Sequence, residues 1–358
     1  MRFRARLIIL ALFAASLHVT SLHAQNKPAP QDKNGLRIYF ADVEGGQATL
    51  FVTPLGESLL VDTGWPGFDS RDANRIDALC DRAGIHKIDT VLLTHYHDDH
   101  VGGVKQLAAK IPIGRFIDHG ENREASAAAQ KNYAAYRDVL LSTHATHQVV
   151  KVGDLLPLKG MRAEVVSADG NLLATPLTAG GAGKPNPACE RTATRPLEDT
   201  ENDRSIGLMI TFGKLRILDL GDLTWANERP LMCPVDKLGK VDVYIVSHHG
   251  MDRSGSEALV DAIAPRVAIM DNGATKGASQ PAWDALAKSP RIAAGTGELW
   301  QLHTAIDSDA AHNVPEARIA NLPGTTDSGY SLQLTARKDG SFAVINQRTG
   351  KTVQYPAE

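Results

Sequence analysis

Short apolar runs punctuated by turns open this chain, and stretches with helical spacing take over further on. Residues 36–40, 48–53 and 58–62 are apolar runs parted by Gly and Pro, the pattern of strands in a β-meander. In 72–83 the apolar positions fall three and four apart, which predicts a helix carrying Cys80 on its buried face. The same spacing predicts helices at 103–110, 124–141, 254–262 and 281–288. Strands are predicted at 206–212, 215–220, 241–246 and 267–271. Near the C-terminus, 331–336 and 341–346 flank Asp339-Gly340, a hairpin signal, and 348–351 makes a second turn before a last short strand. We read these as a β-element closing the same domain. Strands and helices mixed in this way belong to the α/β class and fit an αββα sandwich, two sheets packed face to face with helices outside.

Two segments break the pattern. Residues 170–201 are rich in Gly, Pro and Thr without helix or strand periodicity, and read as a loop insertion: a gate over a site, or a tolerated surface excursion. The N-terminus carries Arg2, Arg4 and Arg6, then an apolar core over 7–17, then Leu22-His23-Ala24. That is the layout of a signal peptide cleaved after Ala24, followed by a polar, Pro-containing lead-in over 25–35. The expectation is export to the periplasm or beyond, with one domain spanning 36–358 and no membrane span once the signal is gone.

The chemistry concentrates where a strand ends. The apolar stretch 88–93 runs into Thr94-His95-Tyr96-His97-Asp98-Asp99-His100, placing three imidazoles and two carboxylates within seven residues. Neutral imidazole and carboxylate are the donors that Zn²⁺ and similar cations take. If the segment stays extended, alternate residues share a face, so His95, His97 and Asp99 converge while His100 enters from another side. That arrangement suits two adjacent cations, His95 and His97 on the first, Asp99 and His100 on the second.

These residues resemble the H-x-H-x-D-H signature of the metallo-β-lactamase-fold superfamily, and further motifs follow in that family's order. Leu59-Leu60-Val61-Asp62-Thr63-Gly64 is similar to its first motif, 217–222 to its strand followed by Gly-Asp, and 243–250 to its last strand running into histidine. Tyr39-Phe40-Ala41-Asp42-Val43-Glu44-Gly45-Gly46-Gln47 and the His248-His249-Gly250 triplet resemble the hydrolase domain of ComEC-type DNA-uptake membrane proteins and their soluble exported relatives. The resemblance implies a metal set of His95, His97, Asp99, His100, Asp222 and His248, with Asp222 bridging two divalent ions, Zn²⁺ or else Mn²⁺. It implies Asp62 supporting the ligands from behind, and Asp99, Asp222 and His249 in the chemistry. Which member of the His248–His249 doublet is the ligand stays open.

One departure bears on the metal. Many relatives have a further histidine where this chain reads Glu201-Asn202-Asp203-Arg204-Ser205, so Asn202 and Asp203 become candidate oxygen donors that favour a harder ion. His119, and His303 in an apolar-flanked loop, are additional candidates for ligand or substrate contact, whereas His144 and His147 lie in a polar segment and read as surface.

Composition narrows the field. The net charge of −3 falls to about −6 once the three N-terminal arginines leave, so the protein lacks a field that draws in polyanions. Aromatic residues at 5% give no broad stacking platform for single-stranded nucleic acid. Three cysteines in an exported chain permit one bridge; Cys189 and Cys233 are the preferred pair with Cys80 buried and free, three free thiols being the alternative. The expected function is an exported metal-dependent hydrolase in which the metals activate water against a phosphodiester or related phosphoryl substrate. The alternatives are hydrolysis of a lactone, β-lactam or thioester, and a secreted metal-containing binding protein without turnover.

Overall fold

The strand Leu36–Phe40 pairs antiparallel with Leu332–Ala336, so the C-terminal hairpin extends the sheet that the first strand begins. The computed structural model describes residues 34–324 and 327–358; the segment expected to be a signal peptide and most of the expected lead-in lie outside them. Among the described residues, one sheet of nine strands runs in the order Thr352–Tyr355, Phe342–Asn346, Leu332–Ala336, Leu36–Phe40, Thr49–Val52, Ser58–Val61, Thr90–Leu92, Arg115–Asp118, Thr146–Val149. A second, of eight, runs Ile319–Asn321, Glu298–His303, Val267–Met270, Val243–Ile245, Leu215–Asp219, Gly207–Phe212, Arg162–Ala168, Asn171–Leu172.

The period of two along each strand decides the layering. Leu36, Ile38 and Phe40 point inward with Leu59, Val61 and Leu92, and meet Ile210, Ile217, Ile245, Ile269 and Trp300 of the other sheet in a shared core. The intervening positions face out. Tyr39, Leu50, Leu60, Val91 and Phe116 pack under helices Arg71–Ala83, Val104–Ala108 and Ala127–Ser142. Leu218, Tyr244, Ala268 and Leu299 pack under Trp225–Met232, Glu257–Ile263 and Gln280–Lys288. The result is the four-layer αββα sandwich.

Helix Arg71–Ala83 shows why such a segment forms. It buries Ala73, Ile76, Leu79, Cys80 and Ala83 along one stripe, and stops where Gly84 takes the left-handed conformation at φ 75°. Helix Ala127–Ser142 starts at Ser126, whose hydroxyl accepts from the Ala129 amide.

Three expectations need correction. The metal loop is not extended throughout: helix Asp98–Val101 begins just after His97, so Asp99 and His100 are brought in by a helical turn and not by strand alternation. Residues 170–201 are not devoid of regular structure. Asn171–Leu172 pairs with Arg162–Ala168, Ala188–Arg191 forms a helical turn, and Cys189 is joined to Cys233. His303 does not sit in a loop but ends the strand Glu298–His303.

The topology also decides where a site forms. Ser58–Val61 and Thr90–Leu92 are parallel, as are Leu215–Asp219, Val243–Ile245 and Val267–Met270. Chain emerging from the carboxyl ends of these strands gathers at a common rim, the usual place for a ligand in such sheets.

Candidate metal centre

Asp99, His100, Asp222 and His249 come together at that rim, with one donor atom from each lying within 4.8 Å of the others. His100 Nε2 is 3.3 Å from Asp99 Oδ2 and 3.2 Å from Asp222 Oδ2. His249 Nε2 is 3.2 Å from Asp99 Oδ2, 3.4 Å from Asp222 Oδ1 and 3.2 Å from His100 Nε2. On the other side of Asp222, His95 Nε2 lies 3.9 Å and His248 Nε2 3.4 Å from Oδ2. His97 Nδ1 completes this side, 3.1 Å from His95 Nε2.

Each imidazole is turned by a partner behind it. His100 Nδ1 donates to Asp62 Oδ2 at 2.7 Å, leaving Nε2 to face the carboxylates. His95 Nδ1 lies 3.1 Å from the Thr94 hydroxyl, which itself donates to Asp62. His97 Nε2 donates to Glu124 Oε2 at 2.9 Å, which leaves Nδ1 pointing at His95. His249 Nδ1 faces Asp271 at 3.3 Å, and His248 Nδ1 lies 3.2 Å from the Ser254 hydroxyl.

Burial opposes charge on every member of the set, and the neighbours decide which groups carry it. His100 and Lys276 overcome the desolvation of Asp99 and hold its carboxyl well below the ordinary range. His100, His248 and His249 do the same for Asp222. His95 is pushed well down by burial and by His100 and His97, and burial takes His248 down to about 4, so both are neutral imidazoles at physiological pH. His249 moves the other way, up to about 10 despite its burial, because Asp222 and Asp271 stand beside it; His100 is raised by Asp222, Asp99 and Asp62.

The residues fit a divalent cation on a direct observation. Asp222 Oδ1 is buried and makes no hydrogen bond, the His249 imidazole standing 3.4 Å away, so this oxygen keeps a lone pair for a cation. Two imidazoles and two carboxylates are a donor set for Zn²⁺, Mn²⁺ or a similar ion.

Other residues named from the sequence fall elsewhere. His119 Nε2 donates to Glu201 Oε2 at 3.0 Å, and His303 Nε2 to Asp42 Oδ1 at 2.7 Å in a separate group with Glu44. Asp203 is not presented as a donor: Oδ2 accepts the Glu198 and Asp199 amides, and Oδ1 accepts the Thr224 hydroxyl. Asn202 Oδ1 is buried without a donor and remains a candidate. For the doublet, left open by the sequence, His249 stands beside Asp99 and Asp222, whereas His248, the member named in the implied set, stands beside Asp222. His147, read as surface, is partly exposed and reaches Asp118 Oδ2 at 2.7 Å.

Several contributors carry no sequence signature. Glu201 is wholly buried and accepts the Tyr96 and Arg123 amides as well as His119, fastening three segments together. Glu124, Asp271 and Lys276 also reach the site from loops or a strand end. Only the Gly45-Gly46-Gln47 turn had a local signal; the Gln47 amide nitrogen donates to the Asp99 carbonyl and its side chain to Asp219.

Comparison with known proteins agrees with this geometry. Residues 41–184 match the model of the metallo-beta-lactamase superfamily. The chain is 27% identical over 235 residues to Recombination protein 2 of Haemophilus influenzae, covering 65% of this chain and 24% of that one. It is 24% identical over 196 residues to ComE operon protein 3 of Bacillus subtilis, covering 53% and 20%. A shorter similarity, 42% over 72 residues, links it to a hydroxyacylglutathione hydrolase of Stenotrophomonas maltophilia, covering 20% and 25%. The chain thus spans a quarter or less of the length of each of these relatives.

Proposed function

We propose, from the premise that this chain carries a metallo-β-lactamase superfamily domain and is a metal-dependent hydrolase, that it acts outside the cytoplasm on a phosphodiester or related phosphoryl substrate. The observation that carries the hydrolytic part is the convergence of Asp99, His100, Asp222 and His249 on one point, with Asp222 Oδ1 making no hydrogen bond. Asp99, His100, Asp222 and His249 would hold a divalent cation, which when bound would supply acidified water and Lewis acidity. The chain's own residues do the rest. Asp222 turns Oδ2 toward His95, His100 and His248 and Oδ1 toward His249, one oxygen to each side of the centre. His248, neutral and backed by Ser254, keeps Nε2 at the rim as a proton acceptor and donor.

The phosphoryl assignment draws on similarity to two proteins named for recombination and for the ComE operon. Export is supported by the N-terminal pattern and by the Cys189–Cys233 bridge, since such bonds persist in oxidising compartments. Among the described residues, no helix is long and apolar enough to cross a membrane. A carbonyl substrate such as a thioester, lactone or β-lactam is the second reading, favoured by the local similarity to a hydroxyacylglutathione hydrolase.

The test is an assay of metal-loaded protein against bis-p-nitrophenyl phosphate, a p-nitrophenyl ester and nitrocefin, each repeated with His97→Ala. Turnover of the phosphodiester alone, lost in the variant, is the expected outcome. Turnover of the ester or nitrocefin instead selects the second reading, and turnover of none points to a binding protein.

A further inference from the structure

Among the described residues, Lys276 brings a cationic side chain to the rim without belonging to the donor set. It lies in the loop beyond Val267–Met270, where the Gly273 amide donates to its carbonyl at 2.9 Å. Its Nζ forms an ion pair with Asp99 Oδ2, the oxygen that His100 and His249 also face, and stands 4.7 Å from the centre of the Trp65 ring. The Lys276 side chain is 26% exposed and that of Asp99 9%, so the ammonium reaches the donors from the solvent side.

The place is built for it. A Cβ on Gly45 would lie 2.9 Å from Lys276 Cβ and 2.8 Å from the Gly273 nitrogen, and one on Gly46 would lie 2.4 Å from the Asp99 carbonyl oxygen. The two glycines let the turn 45–46 pass close beneath both Asp99 and the lysine stem. An ammonium this near a cation-binding set works against cation affinity, because like charges repel at short range. Its position makes sense if it serves something that arrives carrying negative charge.

We propose that Lys276 is a positioning residue that binds an anionic oxygen of the substrate at the mouth of the centre, with Trp65 steadying its ammonium, and so selects anionic substrates. The inference rests on the reading that substrate enters at this donor cluster. Lysine is a common point-charge partner for phosphoryl oxygens, and cation–aromatic contact restricts where that charge can wander.

The test uses the full metal-loaded protein with Lys276→Met, which keeps an unbranched stem over Trp65, and Lys276→Arg, which keeps the charge. Affinity for inorganic phosphate is measured by calorimetry and affinity for the divalent cation by chelator competition. In Lys276→Met, phosphate binding should weaken by about tenfold, the loss of one charge-assisted hydrogen bond, while the cation binds as tightly as before or more tightly. Lys276→Arg should restore most of the phosphate affinity. Phosphate binding unchanged in Lys276→Met, or cation affinity falling in that variant, overturns the proposal; the latter would make Lys276 a structural prop for Asp99. Absence of phosphate binding to the unaltered protein overturns it as well. Intact phosphate binding lost in Lys276→Met, alongside no turnover of any ester, would sink the hydrolase reading and leave the role of Lys276 standing.

Discussion

Asp62 Oδ2 accepts from His100 Nδ1 at 2.7 Å, and both side chains are wholly removed from solvent. Asp62 takes a left-handed conformation, φ 61°, at the end of its strand, and also accepts the Thr94 amide at 2.8 Å and the Thr94 hydroxyl at 2.6 Å. One carboxylate thus sets the His100 tautomer and, through Thr94, steadies His95. Asp62→Ala removes both supports without touching a donor atom. Cation affinity should fall by about 10- to 100-fold, the usual cost of losing such a partner. Chelator competition on folded variant checks this; unchanged affinity would show that packing alone orients the histidines.

The Cys189–Cys233 bridge closes a segment with a sequence separation of 44 and pins the 170–201 excursion to the end of helix Trp225–Met232. Constraining a loop of that size in the unfolded chain is worth about 2–4 kcal/mol. Replacing both cysteines by serine should lower the melting temperature measurably and leave the cation stoichiometry as it was. A loss of bound cation in the double variant would mean that the bridge also shapes the centre.

Glu228 supplies a pH dependence separate from the donors. Burial raises its carboxyl to about 7, against the help of the Gly255 and Ser256 amides. The folded protein therefore keeps this proton while the unfolded chain, with an ordinary glutamate near 4.5, gives it up. The stabilisation is complete below about 4.5 and is lost as pH rises toward 7, at about 1.4 kcal/mol per pH unit for a single group. Denaturant melts of the parent and Glu228→Gln across this range should show their stability difference moving against the parent up to pH 7 and then levelling. A flat difference would place the Glu228 proton elsewhere.

The legible parts of this molecule are those whose meaning is local. His95, His97, Asp99 and His100 announce themselves because they crowd into six residues after an apolar strand, and Asp222 and the His248–His249 doublet because each follows such a strand closely. Period-two alternation in 36–40 and 332–336 was enough to mark strands, though not that they pair with one another. Thr146–Val149 escaped notice because it is an edge strand with mostly exposed positions, so it lacks the apolar alternation of its neighbours. Glu124, Glu201 and Lys276 were invisible for another reason. Single charged residues in loops look like solvated surface until packing carries them inward, and Glu201 is completely buried where two distant segments, at Tyr96 and at 119–123, donate to it. The His248–His249 choice also depended on backbone: both residues adopt left-handed angles, φ 54° and 55°, which no period-based reading anticipates.

Elemental analysis of the purified protein, after incubation with Zn²⁺ or Mn²⁺ and removal of loosely held ion, addresses the core of this account. Two divalent cations per chain are expected, with the content falling sharply in Asp222→Ala, which removes the carboxylate shared by both sides of the centre. A folded parent protein that retains no cation, or an Asp222→Ala variant that retains as much as the parent, would contradict it.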